Sequence, residues 1–252
     1  MNTAHVSTLS LLIASSLVLV SLGFSCTQKL KLERETLISI VRAIVQLVAV
    51  GYILTYLFKI DNPLVTTLIV LFMVFNAAWN AAGRGKKISH GLLISFFSIA
   101  AGAGATLAVL VASGAIRYVP NQIVPISGMI VSNAMVALGL CYRQMAMEFQ
   151  SRREEVETRL ALGADILPAS IDIIRTSIRT GMLPTIDSAK TLGIVSLPGM
   201  MTGLILAGVS PVQAIRYQIL VTFMLLSTTA IASFIACYLC YRGFYNSRKQ
   251  LR

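Results

Sequence analysis

The sequence predicts an all-α polytopic integral membrane protein with about seven transmembrane helices. Its 252 residues are 56% hydrophobic and only 12% charged, and their mean hydropathy is +0.78. A soluble domain carries about twice that share of charged residues. Several windows exceed the roughly 18 apolar residues that indicate a membrane-spanning helix. The basic residues cluster between these windows, as they do in the cytoplasmic loops of membrane proteins.

Seven apolar segments follow one another along the chain. Pro63 stands at the start of the third segment, where a proline suits the first turn of a helix. The predicted spans are residues 8–26, 36–58, 64–82, 91–112, 122–141, 191–208 and 212–241. The one long polar stretch, residues 142–190, separates the fifth span from the sixth. We expect residues 1–252 to form a single transmembrane domain.

The charges predict an orientation with the N-terminus outside and the C-terminus in the cytoplasm. Seventeen of the 21 Lys and Arg residues then lie on the inner side, as the positive-inside rule requires. The first span lacks the basic start of a cleavable signal peptide and is expected to stay uncleaved. The inner loops account for the net charge of +11, so no nucleic-acid partner is expected. All four cysteines lie near predicted cytoplasmic helix ends, where a reducing compartment disfavours disulfides.

The polar stretch is interpreted as a cytoplasmic coupling segment that transmits force from a partner protein to the spans. Glutamates at 154, 155 and 157 favour a helix start, because the helix dipole stabilises negative charge there. Leu160, Ala161 and Leu162 form a small apolar knob, and Gly163 permits a sharp bend. The predicted contacts with the partner are Glu157, Ala161 and Gly163. An amphipathic helix lying on the inner leaflet is the alternative interpretation.

The energy source is expected in a separate protein. The chain has no G-x-x-x-x-G-K-[ST] phosphate-binding loop, and no acidic residue or histidine falls inside a predicted span, where ion-driven carriers commonly keep one. An ATP-hydrolysing partner is therefore the economical inference. We expect no cofactor in this chain and ATP-Mg in the partner.

The sixth span is predicted to kink or split at Pro198, because proline removes a backbone donor and crowds the preceding turn. Amides and methionines at spaced positions could line a substrate path, although amides also join helices and methionines also fill cores. The metal ligands, if any, are left open, since two cysteines (Cys237 and Cys240) alone make a poor site. The candidate pathway residues are Asn76, Asn80, Asn133, Ser196, Pro198, Met200 and Met201.

Several motifs resemble one known family over nearly the whole chain. The stretches VETRLALGA, TLGIVSLPGMMTGLILAG and AIRYQILVTFMLLST are similar to the permease subunits of bacterial iron-export ABC transporters, which have plant relatives linked to aluminium tolerance. RAIVQLVAVGYIL, FNAAWNA and GMIVSNAMVALGL fit the same family, with Ser132 where members usually carry glycine. The resemblance implies a permease homodimer with ABC ATPase subunits in the inner membrane, and iron export that serves metal homeostasis and peroxide resistance.

Two rival functions stay open. The same architecture could export a nucleotide sugar or another organic solute, since plant relatives of the family have been tied to nucleotide-sugar transport. The chain could also be a membrane scaffold that transports nothing. Metal accumulation in a deletion strain, and copurification with an ATPase, would separate these possibilities.

Overall fold

The computed structural model describes residues 8–57, 60, 62–85 and 90–251 and divides into two compact units after Ile60. The amino-terminal unit is a pair of helices, α1 (Thr8–Thr27) and α2 (Glu33–Leu57). Ser25 lies at the turn between them, where its Oγ donates to Glu33 Oε1 at 2.8 Å and accepts from the Leu32 N–H at 3.3 Å. These helices correspond to the first two predicted spans. Residue 58, at the end of the second predicted span, lies outside the described residues, and so do residues 1–7.

The second unit contains the remaining helices. Asn62 Oδ1 caps the third helix by accepting from the Leu64 N–H at 2.9 Å, and Pro63 occupies its first turn as predicted. The helices are α3 (Pro63–Arg84), α4 (Gly91–Ala112), α5 (Pro120–Ser151), α6 (Arg153–Ala161), α7 (Ile166–Thr191), α8 (Gly199–Leu206), α9 (Pro211–Cys240) and a 3-10 turn (Tyr241–Phe244).

The predicted all-α membrane class is confirmed. Within the described ranges, five helices are long and apolar enough to cross a membrane, namely α2, α3, α4, α5 and α9. They coincide with the second, third, fourth, fifth and seventh predicted spans. The apolar part of α1, Ile13–Thr27, is shorter.

Helix α5 is the central element of the second unit and packs against α3, α4, α7 and α9. The run of small residues in α4 allows a close approach to α9. A Cβ at Gly102 would lie 3.0 Å from the Thr228 carbonyl oxygen and 3.4 Å from the Ala232 Cβ. One turn away, the buried Thr228 Oγ1 donates to Thr106 Oγ1 at 2.7 Å. Small residues and hydroxyl pairs of this kind join helices in membranes, where burial from water contributes little.

The sixth predicted span, residues 191–208, takes a different form. Helix α7 continues to Thr191, residues 192–198 form an irregular turn, and α8 begins directly after Pro198. The predicted break at Pro198 is therefore present. Gly193 also contributes, because its φ of +80° is one that other residues rarely adopt. The eight residues of α8 rise only about 12 Å, which is too short to cross a membrane.

Candidate functional site

Helix α6 is a short polar helix held by ion pairs along its own length. Arg152 Nε donates to Glu155 Oε2 at 2.7 Å, Arg153 Nε donates to Glu157 Oε1 at 2.8 Å, and both pairs have the three- or four-residue spacing that stabilises helices. The bond from Arg152 holds the pKa of Glu155 below its usual value. Val156 is only 2% exposed and anchors the helix to the rest of the unit. On the other side of α6, Glu154, Glu157 and Thr158 are exposed.

The predicted glycine bend follows α6. Gly163 has a φ of +93°, and no atom lies within 4 Å of the position that a Cβ would take. The Gly163 N–H donates to the Leu160 carbonyl at 3.0 Å, and the Ala164 N–H donates to the Arg159 carbonyl at 3.0 Å. This is the Schellman arrangement, which ends helices with a left-handed residue. The position therefore requires glycine because of its backbone angle, and not because space is short.

The predicted coupling residues share one groove of about 800 Å³. Its other wall is the carboxyl-terminal tail, which sequence reasoning missed. Lys249 Nζ donates to Asp165 Oδ1 at 2.8 Å, and this bond is the main reason that the pKa of Asp165 lies below its usual value. The groove is lined by Arg153, Glu157, Leu160, Ala161, Gly163, Ala164, Asp165, Arg248, Lys249, Gln250 and Leu251.

The predicted apolar knob is buried at one residue and exposed to solvent at another. Leu160 packs against the buried core, whereas Leu162 at the bend is 83% exposed. The Leu162 side chain thus projects next to a charged groove.

The groove is joined firmly to the base of α7. Arg159 donates to Glu155 Oε1 at 2.7 Å and to Asp172 Oδ2 at 2.9 Å, so it links α6 to α7. On the tail side, Ser170 Oγ of α7 and the Tyr245 hydroxyl form a 2.6 Å hydrogen bond. A displacement of α6 or of the tail therefore acts on the first turns of α7.

Helix α7 then packs against both α5 and α9. A Cβ at Gly181 would overlap Cys141 Sγ and lie 2.9 Å from the Ala137 carbonyl oxygen, so α7 and α5 are in close contact there. Ala137 and Cys141 belong to the predicted fifth span. The second half of α7 consequently packs beside residues of the predicted fifth span.

A polar cavity of about 270 Å³ lies where α7 meets the middle of α5 and α9. Three predicted pathway residues, Asn133, Ser196 and Pro198, line it together. The Oε1 atom of Gln218 is buried without a hydrogen-bond partner. Asn133 Nδ2 donates to the Met129 carbonyl at 2.9 Å. The full lining is Asn133, Thr185, Ser188, Ala189, Leu192, Ser196, Pro198, Gln218, Thr222 and Leu225.

The other predicted pathway residues lie elsewhere. Asn76 and Asn80 are exposed on α3, where Asn80 Nδ2 donates to Asn76 Oδ1 at 3.0 Å, and neither lines the polar cavity. Met200 lines a separate cavity of about 370 Å³, together with Met129 and Met224 among others. Met201 is half-buried and lines neither cavity.

Metal-binding groups are sparse in the part of the chain that the structure describes. It contains no group of three or more His, Cys, Asp or Glu side chains placed to hold an ion. Cys141, Cys237 and Cys240 are buried and unpaired by disulfides, and Cys26 is exposed. The polar cavity therefore offers amide and hydroxyl oxygens, which hold hard cations weakly.

Comparison with known proteins gives consistent matches over the whole chain. The profile of an uncharacterised protein family, UPF0014, matches residues 8–245. The chain is 53% identical, over all of its length and 97% of the relative, to the Escherichia coli K12 protein named "Probable iron export permease protein FetB". It is 35% identical to "Protein ALUMINUM SENSITIVE 3" of Arabidopsis thaliana, over 95% of this chain and 88% of that protein. No solved structure matches the chain.

Proposed function

Since the chain belongs to the UPF0014 family of membrane proteins, we propose that it is the membrane-spanning permease of an ATP-driven exporter and that iron is its cargo. The observation that carries the proposal is a continuous series of contacts from the groove to the polar cavity. The groove that contains Glu157, Ala161 and Gly163 is joined to the base of α7, and the far end of α7 lines the polar cavity. A force applied at the groove thus has a direct route to the cavity.

The cytoplasmic partner in this proposal is an ABC ATPase, which binds ATP-Mg and docks on the groove. Its surface should accept the exposed Leu162 in an apolar pocket and meet the charges of α6 around it. The chain acts as a homodimer with two ATPase subunits in the inner membrane, with its N-terminus outside and its C-terminus in the cytoplasm. In a chain without its four native cysteines, of which Cys26 is exposed, a maleimide should label Arg248→Cys only after the cells are permeabilised, and labelling of intact cells would refute this orientation.

Iron as cargo is supported by the name of the E. coli relative and by the oxygen lining of the cavity. Neutral oxygens bind a hard divalent cation weakly, and a weak site suits transport because the ion must also leave. The same lining favours a second candidate cargo, a polar organic solute, because amides and hydroxyls hydrogen-bond sugars without any metal.

The decisive experiment is reconstitution. The tagged chain is purified from its native membrane, the ATP-hydrolysing subunit that copurifies with it is identified, and both are placed in liposomes. We expect ATP-dependent transport of Fe(II) and Fe(II)-stimulated ATP hydrolysis. Absence of any ATPase subunit would refute the exporter, and stimulation by nucleotide sugars but not by metal ions would identify the organic solute as cargo.

A further inference from the structure

Three methionines from three helices of the second unit border a single cavity. The cavity has a volume of about 370 Å³, and its wall includes Met129 of α5, Met200 of α8 and Met224 of α9. Met224 is only 2% exposed, and Met129 and Met200 are partly buried and pack against the core of the unit. We refer to this space as the methionine cavity.

The packing of these methionines is not explained by a gap-filling role alone. Methionine often fills irregular gaps in a core, because its unbranched side chain has three rotatable bonds. Here the three side chains surround a space instead of closing it, and the volume of that space falls within the roughly 300–1,000 Å³ of ligand sites. The same rotatable bonds allow the sulfur atoms to turn toward a bound ion without any movement of the helices.

The groups in the wall favour a soft cation with a single charge. Among the described residues that line the methionine cavity, none is charged and none is a histidine or a cysteine. The polar side chains are Asn121, Gln122 and Tyr217, and Gln122 Oε1 already accepts from the Arg117 N–H at 2.7 Å. Thioethers are soft ligands that select Cu(I) over hard divalent ions. Since no carboxylate balances the charge, a singly charged ion costs less to bury there than a doubly charged one.

The methionine cavity adjoins the polar cavity along two of its walls. On α5, Asn133 of the polar cavity donates through Nδ2 to the carbonyl of Met129, one helical turn away, at 2.9 Å. At the start of α8, Pro198 lines the polar cavity and Met200, two residues later, lines the methionine cavity. The second unit therefore offers oxygen ligands and sulfur ligands in neighbouring cavities.

We propose that the methionine cavity is a binding site for Cu(I), with the thioether sulfur atoms of Met129, Met200 and Met224 as its ligands. The inference goes beyond the proposed iron cargo, because it gives the chain an affinity for a metal ion of a different chemical class. Thioethers have no proton to lose when they bind a metal, whereas cysteine and histidine do. Binding of Cu(I) at this site should therefore not weaken between about pH 7 and pH 5.

The test is a titration of Cu(I), kept reduced with ascorbate, into the purified full chain with its four cysteines replaced by alanine. The replacement is needed because thiolates also bind Cu(I). Met129→Leu, Met200→Leu and Met224→Leu keep the volume and the apolar character of the side chain and remove the sulfur. We expect each variant to raise the apparent Kd for Cu(I) about tenfold or more, since loss of an outer-sphere partner alone costs roughly that much. Absence of Cu(I) binding, or unchanged affinity in all three variants, would overturn the proposal.

The chain offers a matched control in the residue that follows Met200. Met201 is also half-buried on α8, but it lines neither the methionine cavity nor the polar cavity. Met201→Leu should therefore keep the parent affinity for Cu(I). Equal losses in Met200→Leu and Met201→Leu would mean that scattered thioethers bind the ion, and they would overturn the assignment to this cavity.

A spectroscopic measurement covers the case in which the cysteine-free chain folds poorly. The chain with its native cysteines is labelled with selenomethionine, loaded with Cu(I) and studied by X-ray absorption at the copper edge. Selenium reaches the copper only through a methionine, so we expect a copper–selenium shell that Met200→Leu reduces and Met201→Leu leaves unchanged. A shell of sulfur alone would assign the copper to the thiols and overturn the proposal. Copurification of an ATPase and export of Fe(II) are measured separately, so the proposed function can stand when the copper site fails.

Discussion

Replacement of Gly163 isolates the effect of one backbone angle on coupling. The residue has a φ of +93°, and nothing lies within 4 Å of the position that a Cβ would take, so Gly163→Val meets no steric clash with other residues. A β-branched residue held at such an angle costs about 1–3 kcal/mol. If that strain shifts the bend out of its native form, binding of the ATPase should weaken by roughly 5- to 150-fold.

The assay compares three chains in lipid nanodiscs: wild type, Gly163→Val and Gly163→Asn. Asparagine tolerates the left-handed region far better than valine does, so Gly163→Asn should bind the ATPase nearly as wild type. All three should reach the membrane in equal amounts, because the bend lies outside the packed core. Wild-type affinity of Gly163→Val, or equal losses in both variants, would refute the argument from backbone angle.

Three further predictions concern other parts of the second unit. Gly181→Ala should destabilise the protein by about 1–3 kcal/mol in thermal unfolding, because its Cβ would press on α5. The control Gly104→Ala, which has open space around it, should be neutral. Equal melting temperatures of the two variants would contradict the close α5–α7 contact. Gln218→Leu should leave the stability of the protein unchanged or higher, since it removes a buried unpaired oxygen. The same variant should reduce Fe(II)-stimulated ATP hydrolysis. Full stimulation would exclude Gln218 from the substrate path. The Asp165–Lys249 contact lowers the pKa of the Asp165 carboxyl in the folded state. The contact therefore contributes to the stability of the folded state above the unfolded pKa, and this contribution is lost as the pH falls below about 4. Hydrogen exchange of the carboxyl-terminal tail should then rise beyond its intrinsic pH dependence, and Asp165→Asn should show the faster exchange already at pH 7; a tail that stays protected in that variant would contradict the contact.

The sequence predicts the apolar helices well because their signal is local. A long uninterrupted run of apolar residues has few alternatives to a membrane span, and α3, α4, α5 and α9 lie where the runs indicate. The bend at Gly163 and the break at Pro198 are also local, since each depends on the backbone of one residue.

The course of α7 could not be predicted in the same way. Its buried face is apolar, but the exposed Arg175, Arg179, Asp187 and Lys190 interrupt the apolar run on which a prediction of packing against the spans would depend. Only tertiary contacts, such as the one between Gly181 and Cys141, show that α7 packs along α5. The tail wall of the groove depends on a bond between residues 84 positions apart, and Gln218 is a single polar residue in an apolar helix. Neither has a periodic signal that a single sequence could reveal.

The Gly163 and Gly181 variants test two different steps in the transmission of force from the groove to the cavity. Gly163 sets the shape of the surface that meets the ATPase, whereas Gly181 sets how closely α7 packs on α5 between the groove and the cavity. Because Arg159 joins α6 only to the first turns of α7, looser packing at Gly181 should leave the groove intact. Coupling along α7 therefore requires that Gly163→Val lose ATPase binding, and that Gly181→Ala keep binding but lose stimulation by cargo. If both variants lost binding alike, the groove and the cavity would belong to one rigid body, and α7 would have no separate part in the transmission.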